Sequence, residues 1–199
     1  MALEGAAPSI VKSVVQRNML NTWLRLFGNA QQLPAIEQFQ YDRIEDERAD
    51  LVYFEVEYDT GEPRFKVAYE GRRLTEAYGE SGKGKYLEEV LGPKLATLML
   101  PLYFQCLARG RPIYSIFTIP DARAREVAYE RLLLPFGAGT HVDAVIASIK
   151  TISIEGSFEQ RDLMRNADAT LAFLVQVVID GNLASNRIAE QLDADVIEI

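Results

Sequence analysis

The sequence predicts an α+β domain built on an antiparallel sheet, and three observations predict it. The stretch from Val127 to Ile149, VAYERLLLPFGAGTHVDAVIASI, reads as two apolar strands joined by a short turn containing Pro135, Gly137 and Gly139. From Leu51 to Asp59, Val52, Phe54, Val56 and Tyr58 fall on one face and Glu55 and Glu57 on the other, the pattern of a half-buried strand. Between these two regions lies a stretch whose apolar spacing is helical, so strands from both ends of the domain must meet in one sheet.

Each element follows in order. Ser9 to Phe27 reads as a helix capped by Ser9, with Val11, Val15, Met19, Trp23 and Phe27 spaced four apart and flanked by Leu20 and Leu24. A stripe this wide either covers the sheet of its own domain or pairs with a second copy of the chain, with Val11, Val15, Met19, Trp23 and Phe27 as the interface. Gly28 and Asn29 end it, Leu33-Pro34 begins an irregular link, and Pro34 to Ala49 is expected to hold short helical turns. After the first strand, Thr60-Gly61-Glu62-Pro63 makes a turn, and Phe65, Val67 and Tyr69 alternate with charged residues as a second strand.

Arg72 to Tyr78 and Tyr86 to Leu91 read as short helical pieces around a glycine-rich loop. Pro93 to Arg109 is a longer helix that Pro101 should bend or interrupt. Gly110-Arg111-Pro112 turns the chain into a strand over Ile113 to Ile119, and Pro120 to Arg125 loops into the long hairpin. Beyond Ile154, Ser157 to Arg165 and Asp168 to Ile179 look helical, and Ser185 is placed to cap a last short helix. This divides the chain into an N-terminal helix (1–32), a sheet domain (33–154) and an acidic helical extension (155–199).

Composition narrows the function classes. The 199 residues, 48% apolar and 25% charged, suit one globular domain with appendages. Cys106 is the single cysteine, which excludes an intramolecular disulfide and any multi-cysteine metal site and suits a reducing compartment. The first thirty residues hold no apolar segment of membrane length and no signal-peptide pattern, so a cytoplasmic protein without membrane insertion is expected. A net charge of −8 argues against nucleic acid, whose phosphates need a basic surface. Nine acids against three arginines after Ile154 place −6 of that charge in the extension, where it solvates the surface or docks on a basic partner.

Trp23, Leu33-Pro34, Phe65 through Gly71, Tyr78-Gly79, Leu87 through Leu91, Gly110-Arg111-Pro112 and Tyr129 through Pro135 carry a family resemblance by their order and approximate spacing. From about Met19 to Ile149 the chain resembles the small, often single-domain PAS proteins common in alphaproteobacteria. The resemblance implies a five-stranded antiparallel sheet with helices packed on one face around a cavity, and a role in sensing and regulation. It says nothing of the segment after Ile154.

Candidate chemistry is sparse. Gly79 to Lys85, GESGKGK, fits the first seven positions of the nucleotide-binding loop, but position eight is Tyr86 where a Ser or Thr must hold magnesium. What remains is a surface loop or an anion cradle formed by the glycine-rich backbone with Lys83 or Lys85. His141 is the single histidine and stands at a turn, so a haem held by an axial histidine on the central helices is not expected. Cys106 lies in Phe-Gln-Cys-Leu, not the Asn-Cys-Arg-Phe context of PAS photoreceptors that bond flavin. No acid–base pair stands out, so no catalysis is expected. The SNRIAEQLDADV tail resembles the first half of a helix-turn-helix but ends before a recognition helix.

An interior lining is expected from Tyr69, Tyr103, Phe104, Tyr114, Phe117, Tyr129 and Arg131, serving either as core packing or as a ligand pocket. The ligand-binding candidates are Tyr69, Tyr103, Phe104, Tyr129 and Arg131. Arg131 stands in an apolar strand where its guanidinium needs a ligand anion or a structural ion pair. Two readings follow: a sensor that binds a small molecule or a protein, and a filled-core adaptor that dimerises or binds a partner through its terminal helices.

Overall fold

In the computed structural model, residues 3–30, 32–39, 48–59, 61–121, 123–153 and 172–183 are described. The elements run β1 (Glu4–Ala6), a 3-10 turn over Pro8–Ile10, α1 (Val14–Ala30), α2 (Ile36–Phe39), a 3-10 turn over Arg48–Asp50, β2 (Leu51–Glu57) and β3 (Arg64–Glu70). They continue with α3 (Arg72–Tyr78), α4 (Leu87–Arg109), β4 (Ile113–Pro120), β5 (Glu126–Ala138), β6 (His141–Ser153) and β7 (Ala172–Ile179). One sheet holds the strands in the order β1-β7-β4-β5-β6-β2-β3. Every neighbouring pair is antiparallel except β1 with β7.

The α+β class and the five expected strands are present, but the sheet is larger than five strands and is mixed. The added strands come from the two ends of the chain. Asp168 to Ile179, expected to be helical, contains β7, paired with β4 from Thr118↔Ala172 to Ile113↔Val178. Its apolar run is nearly continuous, so period alone does not separate helix from strand, and the β-branched Val175, Val177, Val178 and Ile179 suit the strand. The helices expected at Ser157 to Arg165 and after Ser185 lie outside the described residues.

The 13-residue strands β5 and β6 form the long hairpin and occupy the middle of the sheet. Pro135 and Gly137 belong to β5 rather than to the turn, which lies at Gly139 and Thr140. Pro135 stays in register with Val145, and a register shift follows between Phe136 and Gly137. A Cβ on Gly137 would run into the His141 carbonyl oxygen, so glycine is what allows the two backbones to approach there. The Gly137 amide donates to the Pro34 carbonyl (3.1 Å) and the Leu33 amide to the Gly139 carbonyl (3.1 Å), which straps the 33–34 link onto the hairpin tip.

Side chains of β5 alternate between two covered faces, and residues 129–137 are all buried. Helices lie on both faces rather than on one. α3 and α4 cover the face that carries Tyr129 and Arg131. α1 covers the other, where the Gln16 Nε2 amide donates to the backbone carbonyls of Glu130 (3.2 Å) and Ser148 (3.0 Å). The described helix starts at Val14, after the 3-10 turn, so Val11 precedes it, and it runs past Gly28 to Ala30.

The 86–91 and 93–109 pieces merge into α4 across a kink at Gly92. A residue before proline is pushed out of the helical region, and Gly92 takes a left-handed φ of 70° ahead of Pro93. Pro101 sits on the exposed side of the helix, within its continuous part. Among the described helices α4 alone is long and apolar enough to cross a membrane, by length and composition only. Its Leu95, Met99, Leu102, Tyr103 and Cys106 are buried inside this fold.

Of the proposed interface residues, Val11, Met19 and Trp23 are at most 1% exposed within their own chain, and Val15 and Phe27 are half-buried. Val11, Met19 and Trp23 therefore pack into the core of their own chain, while Val15 and Phe27 keep part of their surface exposed. The Trp23 ring stacks on Phe27 (5.1 Å between centroids) while its indole N–H donates to the Pro135 carbonyl (2.6 Å). Trp23→Phe keeps an aromatic ring and removes that buried donor, so it should cost about 1–3 kcal/mol. Urea unfolding checks this by a lower midpoint at unchanged slope; an unchanged midpoint would contradict it.

Candidate functional site

Two consecutive charged residues of β5, Glu130 and Arg131, are each 1% exposed and point to opposite faces of the sheet. Their surroundings differ. On the α1 face, one Glu130 carboxylate oxygen accepts the backbone amides of Lys12 (3.0 Å) and Ser13 (3.0 Å) and the hydroxyl of Tyr114. The turn that leads into α1 is thus tied to the centre of the sheet. The other carboxylate oxygen, the Gln16 Oε1 and the Ser148 Oγ are buried without a partner among the described residues.

On the α3/α4 face, the Arg131 guanidinium lies 5.7 Å from the ring centroid of Tyr103 and 5.5 Å from that of Phe117. One terminal nitrogen donates to the Met99 sulfur (3.0 Å), and the Tyr78 hydroxyl is within hydrogen-bonding reach. The Phe117 ring stacks with Tyr129 (5.1 Å), two residues before Arg131 on the same face. No carboxylate pairs with Arg131 among the described residues. Asp50, the buried acid that precedes β2, is taken by Arg73 (2.6 Å) and Lys150 (2.5 Å).

A guanidinium keeps its proton in any protein environment, and taking such a charge out of water costs several kcal/mol unless it is compensated. Aromatic faces and a thioether return part of that. The Arg131 Nε–H and the Tyr129 O–H remain buried and unpaired, two unused donors on one side of one strand. Burial pushes Tyr129 well above the ordinary phenol range and Tyr78 up to about 12, with Arg131 pulling both back. Tyr103 is raised by burial as well, against the same opposing charge.

The structure brings together Tyr103, Tyr129 and Arg131 of the expected ligand-binding set, with Phe117 beside them. Tyr69 is not among them: it pairs with Tyr53 on the opposite face, and its hydroxyl donates to the Arg48 carbonyl (3.2 Å). Tyr114 also faces the other way, toward Glu130. Phe104, one position along α4 from Tyr103, packs on Phe65 (5.8 Å) and lines a separate open groove of about 480 Å³ with Tyr58, Leu107, His141 and Val142. Sequence reasoning missed Tyr78, Met99 and Gln16. Tyr78 and Met99 are ordinary helical apolar positions, and the sharpest trace of this site in the sequence is the charged pair Glu130-Arg131 inside the run ERLLL.

The glycine-rich loop keeps little backbone free to cradle an anion. Its amides are spent within the chain: Gly82 donates to a Glu70 carboxylate oxygen (2.9 Å), Gly84 to the Val67 carbonyl (2.8 Å) and Lys85 to the Gly82 carbonyl (2.9 Å). Lys85 is paired with Glu80 at 3.2 Å. The Val67 amide also donates to the Lys85 carbonyl (2.9 Å), so the loop closes the outer edge of β3. His141 is exposed and packs against the Tyr58 ring at 4.7 Å. Cys106 is wholly buried, and burial alone raises its thiol far above the range of a reactive cysteine. Among the described residues no group of three His, Cys, Asp or Glu is placed to hold a metal ion.

No protein-family model matches this chain, and no curated protein sequence matches it.

The buried phenols make the fold alkali-sensitive. Tyr78 keeps its proton to about pH 12 in the folded chain against about 10 when unfolded, so its stabilising contribution is complete below pH 10 and disappears as pH rises through 12. Tyr103, Tyr114 and Tyr129 shift in the same direction, each chiefly through burial. The melting temperature should therefore fall steeply above pH 10, and part of the phenolate absorbance should appear only as the protein unfolds. A flat melting temperature across that window would contradict this.

Proposed function

We propose that the chain is a cytoplasmic sensory and regulatory module of the PAS kind, working by binding a small molecule in its interior rather than by catalysis. What carries the reading is the state of that interior. Arg131 is a buried cation with no carboxylate among the described residues, beside an unused phenol donor, and a filled core has no reason to keep such a group. Strands β2 to β6 form a continuous antiparallel block, with α3 and α4 inserted between β3 and β4. That succession is the one the PAS resemblance implies, and it supports the same reading.

A bound molecule would shift the population between conformations that differ in how the covering helices sit, in proportion to its differential affinity for them. The test compares native and denatured masses of the purified chain. A mass excess that disappears on denaturation is expected. A bare mass would instead favour the ligand-free adaptor, which acts by pairing with itself or with a partner protein.

A further inference from the structure

On the α3/α4 side of β5 the acceptors that reach Arg131, the Met99 sulfur and the Tyr78 hydroxyl, are both neutral. The Arg131 Nε–H and the Tyr129 O–H are both buried and unpaired. They stand two residues apart on one strand and so face the same way. The Met99 sulfur and the rings of Tyr103 and Phe117 around the guanidinium are apolar or weakly accepting. Such a set lacks an acceptor that carries one negative charge. A phosphate ester carries about −1.5 to −2 at neutral pH and would leave the enclosure with excess negative charge. A carboxylate carries one charge, and its plane matches the guanidinium fork.

We propose that Arg131 and Tyr129 form the recognition centre for an organic monocarboxylic acid with an apolar body. The guanidinium takes the carboxylate, the Tyr129 hydroxyl donates to one of its oxygens, and Met99, Phe117 and Tyr103 meet the apolar part. This rests on the reading of the chain as a small-molecule sensor and specifies the chemistry of what it binds. The charge on the opposite face is already engaged by the Lys12 and Ser13 amides and by Tyr114, so Glu130 does not compete for Arg131.

The test uses the full chain in three forms: wild type, Arg131→Met, which keeps the side chain long and apolar, and Tyr129→Phe. Each is examined as purified and after denaturation, desalting and refolding. Denatured wild type should release a carboxylic acid detected by negative-ion mass spectrometry, and desalted wild type should melt below the protein as purified. Arg131→Met should release none and show no such drop. Tyr129→Phe should hold the acid roughly ten-fold or more weakly, and it decides the matter alone if Arg131→Met does not fold. Added back to the desalted wild type, phenylacetate should raise the melting temperature and phenylacetamide should not.

A neutral or cationic molecule retained by Arg131→Met would overturn the carboxylate centre and leave the sensor standing. So would equal shifts with phenylacetate and phenylacetamide. A bare wild type that neither compound stabilises would overturn both readings and assign the neutralisation of Arg131 to the chain itself.

Discussion

Between Tyr129 and Gly137 strand β5 has no solvent side, and the rest of the structure follows from that. It lies in the middle of the sheet order, with α1 on one face and α3 and α4 on the other. Nine consecutive residues, 129–137, are buried, so every side chain there must find its partners within the fold. Most are apolar and need nothing more than packing. Glu130 and Arg131 are the exceptions, and the period of two along a strand sends them to opposite faces, where they do not neutralise each other.

The two faces meet this constraint differently. Glu130 is held by two backbone amides and a phenol, which fastens the entry of α1 to the middle of the sheet more than a hundred residues away in sequence. Trp23 fastens the same helix again just past its middle, through the Pro135 carbonyl. These bonds make α1 part of the domain rather than an appendage. Arg131 has aromatic rings and a sulfur around it but no acid among the described residues, and this asymmetry is the physical basis of the functional reading. The exposed ends of the sheet are handled more simply. The Lys83 to Tyr86 loop bonds to the outer edge of β3, and β1 lies along part of β7.

What was legible in the chain was the local pattern. The strands β2 and β3 alternate cleanly because one of their faces is less covered, and a period of two survives only where the two faces differ. The long hairpin was readable as apolar, but its turn was displaced: Pro135 and Gly137 look like turn residues, yet Pro135 pairs with Val145 inside β5 and Gly137 follows at a register shift. β7 reads as helical in the sequence because its apolar run, broken only by Gln176, shows no period of two, although Leu174 is largely exposed and only Val178 and Ile179 are buried. The candidate site was legible in part. Tyr103, Tyr129 and Arg131 do converge, while Tyr69 faces away and Phe104 opens onto another groove, since neighbouring positions on a helix or strand point in different directions.

The sequence by itself determined the α+β class, the order of two strands, helices and three strands, and the presence of a charged pair within an apolar strand. These are properties of composition and period, and both are local. Only the tertiary structure decided that the first helix covers its own sheet, that β1 and β7 extend that sheet, and that Arg131 is enclosed with Tyr78, Tyr103 and Met99 and without an acid among the described residues. Those outcomes depend on which distant surfaces meet, and the energy of a buried charge is set by neighbours contributed from the whole chain rather than by the residues beside it.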